Sequence, residues 1–114
     1  MEIKILKTKI STKELKKIAE ENYGEMTKGV VDLKQKVIAL GGELHADAEA
    51  LLLKKGSKQA DLWGFNIYPA KSKSERIEYT SLINIRPKLG NRSIEIKDEV
   101  LRRQVRELVD LLVE

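Results

Sequence analysis

The chain predicts an α+β fold in two layers: a mainly antiparallel sheet of about five strands with helices on one face, in the order β-α-β-β-α-β-β-α. Three observations lead there. Short stretches of alternating apolar and polar residues recur, stretches of helical periodicity separate them, and several links are short enough for hairpins. The 114 residues suit a single domain spanning 1–114.

The elements follow in chain order. Ile3 and Ile5 alternate with Glu2 and Lys4, which predicts a strand near 2–6. Ser11 and Glu14 have the spacing of a capping box, and Leu15, Ile18 and Ala19 form the apolar stripe of a helix over 12–22 that stops at Gly24. Val30, Val31 and Leu33, then Val37, Ile38 and Leu40, read as two strands joined through Lys34-Gln35. Asp47 caps a second helix, 48–55, closed by Gly56. Trp63, Phe65 and Ile67 alternate with Leu62, Gly64, Asn66 and Tyr68 in a strand that Pro69 ends. A longer alternation from Ile77 to Arg86 predicts another strand, closed by Pro87, with a short extended piece at 94–96 beyond it. Asp98 caps a last helix whose stripe is Leu101, Val105, Leu108 and Leu112, with Glu99, Arg103 and Glu107 along its outer side.

Composition narrows the chemistry. Cysteine is absent, which excludes a disulfide framework, thiolate metal sites and a cysteine nucleophile, and makes a reducing, cytoplasmic setting the expectation. The alternating N-terminus is unlike a signal peptide, and no apolar run approaches the ~20 residues of a membrane span. Lys+Arg total 22 against 18 Asp+Glu, a net charge of +4. The excess is uneven: residues 70–97 carry seven basic and three acidic groups, and residues 1–40 nine and six. A solvated surface is the first reading, and weak nucleic-acid contact through 70–97 is the alternative.

Three pieces are more distinctive: Gly-Gly-Glu-Leu-His-Ala-Asp at 41–47, Asp-Leu-Trp-Gly with Asn-Ile-Tyr-Pro at 61–69, and Ile-Asn-Ile-Arg-Pro with Gly-Asn-Arg-Ser at 83–93. With them the chain resembles a small prokaryotic family known only as a domain of unknown function, from the first helix to the last. The resemblance implies no reaction and no catalytic residues.

Ligand-binding candidates come from the residues themselves. Arg86, Asn91, Arg92 and Ser93 place guanidinium, amide and hydroxyl donors around one loop at a strand end, a set suited to phosphate or carboxylate. The competing reading makes Gly90-Asn91 turn chemistry and pairs the arginines with nearby carboxylates. His45, Asp47 and Glu49 alternate and could shuttle protons, but one His without Cys is a poor metal set, so no metal and no cofactor are expected. The loop is neither a Walker loop nor a dinucleotide fingerprint. Asn66 and Asn84 lie amid apolar residues and must find partners if buried. Trp63 and Phe65 read as core. The sequence assigns no reaction. Its leading reading is a domain that binds a small phosphate- or carboxylate-bearing ligand through Arg86, Asn91, Arg92 and Ser93 with His45. The alternatives are a nucleic-acid-associated module and a protein-interaction or oligomer-forming domain.

Overall fold

Strand alternation sorts residues between the two faces of a sheet, and here both faces of the central strands are apolar. A computed structural model describes residues 2–114, with β1 (Ile3–Leu6), α1 (Thr12–Glu21), β2 (Thr27–Asp32), β3 (Val37–Gly41), α2 (His45–Lys54), β4 (Leu62–Ile67), β5 (Ile77–Glu78) and α3 (Glu99–Leu112). The strands form one five-stranded sheet in the order β1-β3-β2-β4-β5, antiparallel throughout. The α+β class and the element order match those expected from the sequence.

The layering is different. Val31, Ile38, Leu40, Trp63 and Phe65 join Leu15 and Ile18 of α1 and Val105, Leu108, Val109 and Leu112 of α3 in one core. Their strand neighbours Val30, Ala39 and Leu62 pack instead against Ala48 and Leu52 of α2. The sheet is therefore sandwiched, with α1 and α3 on one face and α2 on the other. The cause is the run of adjacent apolar residues, Val30-Val31 and Ile38-Ala39-Leu40, which leaves two faces to cover.

Local chemistry sets the boundaries. Ser11 Oγ accepts the Glu14 amide at 3.1 Å, and Asp98 Oδ1 accepts those of Val100 and Leu101 at 2.8 and 3.2 Å. The β2–β3 hairpin is held by buried Asp32, whose Oδ1 accepts the Lys34 and Gln35 amides at 2.9 Å each. Its Oδ2 accepts from Ser57 Oγ at 2.6 Å. Helix α2 begins earlier than predicted: Leu44 is its N-cap, and Asp47 sits inside the first turn with its carboxylate accepting the Leu44 amide at 3.3 Å. The strand expected over 77–86 is ladder only at Ile77–Glu78. Ser81 Oγ then accepts the Ile83 amide at 3.2 Å and turns the chain into a 3-10 turn, Leu82–Asn84. A second turn, Pro87–Leu89, follows.

Candidate functional site

Where β5 ends, β4 would present an unpaired edge, and side chains complete it. Asn84 is fully buried; its Oδ1 accepts the Gly64 amide at 2.8 Å while its Nδ2 donates to the Gly64 carbonyl at 3.0 Å. One carboxamide thus replaces a ladder residue. The close approach depends on glycine, because a Cβ on Gly64 would lie 2.5 Å from Ser81 Cβ. Arg86 seals the next stretch, donating to the carbonyls of Leu62 and Gln59 (2.6 Å for the latter). Its Nη2 meets Glu49 Oε2 of α2 at 2.7 Å, with the two side chains only 10% and 13% exposed, and its guanidinium lies 5.1 Å from the centre of the Trp63 ring. Burial pulls this guanidinium below its ordinary pKa, and Glu49 pushes it back.

The turn held this way forms one wall of a pocket of about 350 Å³ on the α2 side of the sheet. Its floor is His45, at the start of α2, and Asn66 of β4; Lys28 of β2 stands beside them, and Thr80, Ser81 and Ile83 belong to the wall. The mouth is apolar: Met26, Leu44, Leu82 and Ile94, with Leu82 78% exposed. His45 is buried and its Nε2 is 2.8 Å from the Phe65 carbonyl, so this nitrogen carries the proton of the neutral ring and donates it. Burial lowers the imidazole pKa below its usual 6.5, against the opposing effect of that hydrogen bond. Asn66 is only 7% exposed. Its Nδ2 donates to Glu78 Oε1 at 2.7 Å, and since a carboxylate only accepts, the carboxamide orientation is fixed. The Asn66 Oδ1 is then buried and unpaired among the described residues while His45 is neutral, and the neighbouring Asn66 side chain favours the protonated His45 ring, which would donate to it. The His45 and Ala46 amides, at the positive end of α2, also have no acceptor among them.

The predicted site residues fall in different places. Arg86 spends its guanidinium on Glu49, two carbonyls and Trp63. Asn91 is buried; its Nδ2 donates to the carbonyls of Asn84, Ser93 and Glu95 at 2.8–3.0 Å, and its Oδ1 accepts the Lys97 amide at 3.1 Å. Ser93 Oγ accepts the Glu95 amide at 3.1 Å. Arg92 is exposed, with no hydrogen bond or ion pair from its side chain among the described residues. His45 lines the pocket, apart from that loop. Lys28 and the mouth residues were missed by the sequence reading. The available signals were a lysine two residues ahead of the Val30-Val31 pair and the Leu82 position in an alternation that the Ser81 turn breaks. Among the described residues no group of three or more His, Asp or Glu is placed to hold a metal ion, and no helix is long and apolar enough to cross a membrane.

The molecule is thus a sandwiched α+β domain in which side chains complete an interrupted sheet edge and wall a pocket at a helix start. It belongs to the family described as a protein of unknown function (DUF5674), whose model matches residues 4–112. Searches of curated proteins and of solved structures each found no match.

Proposed function

We propose that the domain binds a small carboxylate with an apolar body in the pocket at the start of α2. The observation that carries this reading is that one apolar-mouthed cavity is lined by residues with polar groups unpaired among the described residues, the buried Asn66 with its Oδ1 and His45 and Ala46 with their amides, and by Lys28, whose ammonium forms no ion pair among them and lies 5.3 Å from the centre of the Tyr23 ring. The amides and Lys28 suit an anion. Asn66 Oδ1 suits an O–H or N–H beside it, as in a 2-hydroxy or 2-amino acid. Leu44, Leu82 and Ile94 suit the hydrocarbon. Lys28 and one helix start, set against the Glu78 carboxylate held by Asn66 beside the pocket, favour a single negative charge over the nearly two of a phosphate monoester. Of the loop residues first proposed as ligand donors, Arg86 and Asn91 serve this site by holding its wall, and His45 is its floor.

Thermal shift and calorimetry with aliphatic and aromatic 2-hydroxy acids test the reading. Wild type binds them saturably, with a stabilisation that grows as the logarithm of ligand excess and reaches about 2.7 kcal/mol at a hundredfold excess over Kd. Lys28→Ala and Leu82→Glu lose the response while keeping the wild-type melting point without ligand. If no carboxylate shifts the wild type, or if Lys28→Ala responds equally, the reading fails. Loss of the response in Arg92→Ala instead would return the site to the Arg86–Ser93 loop.

A further inference from the structure

An open concavity lies on the opposite face, between edge strand β1 and α1, with a volume of about 760 Å³. Lys4, Lys13, Lys16 and Lys17 line it together with Ser11, Glu14 and Glu20. Lys4 pairs in register with Leu40, a residue of the core under α1, which places it on the α1 side of the sheet. Lys13, Lys16 and Lys17 stand at i, i+3 and i+4 on the exposed side of α1, about 5–6 Å apart between Cβ atoms. None of the four ammonium groups forms an ion pair among the described residues. Of the seven basic residues of 70–97, to which the sequence first directs attention, Arg76 is committed to Asp110, Arg86 to Glu49 and Lys97 to Glu95, and Lys71 and Lys88, unpaired among the described residues, line separate concavities, not one groove.

From this we infer that the β1–α1 groove is an interaction surface for the phosphate backbone of a nucleic-acid strand. An unpaired row of lysines offers compact point charges, which suit phosphate without fixing orientation as arginine would. The groove is concave and its lining has no aromatic or large apolar side chain. That favours an extended strand over a membrane, where insertion needs apolar anchors. The absence of aromatics in the lining also means no base stacking, so recognition is independent of sequence. Glu14 and Glu20 offset half of the four positive charges in the groove and keep the association weak.

Fluorescence anisotropy of a labelled single-stranded oligonucleotide with the full chain tests the inference. For four phosphate contacts, affinity falls about fifty-fold between 50 and 200 mM salt, since each contributes roughly 0.7 to the logarithmic slope on a single strand. The triple variant Lys13→Ala/Lys16→Ala/Lys17→Ala retains a drop of only about threefold and binds weakly at 50 mM. Lys-to-Arg replacement at the three positions restores the wild-type slope, and Glu14→Gln/Glu20→Gln tightens binding. The control Lys88→Ala/Arg92→Ala, outside the groove, binds as wild type. The inference is overturned by no binding at 50 mM salt, by a triple variant with the wild-type slope, or by loss of binding in the control. Capture by anionic phosphatidylserine vesicles without oligonucleotide binding would overturn it too. Circular dichroism confirms that each variant is folded, which the exposure of these side chains leads us to expect.

Discussion

Asn84 does the work of a β-strand with one side chain. Replacing it by alanine strands the amide and carbonyl of Gly64, both inside the protein, at about 1–3 kcal/mol for each group left unpaired. Urea denaturation of Asn84→Ala should show that loss; a midpoint within error of wild type would mean that water or a shifted backbone takes over both bonds. Arg86 and Glu49 are a second test of the same edge. Glu49→Ala leaves a nearly buried guanidinium without its carboxylate and should cost about 3–5 kcal/mol. A double-mutant cycle with Arg86→Ala would separate the ion pair from the packing on Trp63. The sequence already implied that a buried Asn84 must be bonded, because amides amid apolar residues need partners. It could not name Gly64 or Glu49 as those partners, because they lie 20 and 37 positions from Asn84 and Arg86 and meet only through the fold.

At the scale of elements, the legible parts were those governed by local chemistry. The Ser11 and Asp98 caps and the α3 stripe follow from spacing alone, and Val105, Leu108 and Leu112 of that stripe are buried. Leu108→Ala should therefore cost about 2–5 kcal/mol, read as a lowered melting temperature. An unchanged melt would mean that α3 is not packed as described. Legibility failed where a side chain outcompeted a periodic pattern. From Ile77 to Arg86 the alternation is strand-like, yet only two residues join the ladder, because Ser81 caps a turn and Asn84 takes the β4 edge. The start of α2 was misplaced for a related reason. Asp47 has the chemistry of a cap, but it acts from within the helix by accepting the Leu44 amide, and this leaves His45 on the first turn over the pocket.

For the whole molecule, two cores on opposite faces of one sheet make pH a probe of the pocket side alone. His45 is the only histidine, and burial against that side holds its pKa below the usual 6.5. The folded protein therefore binds fewer protons at His45 than the unfolded chain in the interval from that lowered value up to 6.5. Stability must rise with pH across that interval and level off above it; on acidification it is lost progressively below about pH 6.5. Equilibrium denaturation from pH 8 downward should show this decline before the carboxylates begin to titrate. His45→Gln, which has an N–H able to reach the Phe65 carbonyl but no proton to gain, should flatten the profile between pH 6.5 and the carboxylate range. A bound carboxylate in the α2 pocket would add to the same measurement, since its negative charge favours the protonated ring and should weaken the acid dependence of the complex. If wild type and His45→Gln lose stability in parallel through this range, His45 is not held neutral, and the buried floor assigned to the pocket is wrong.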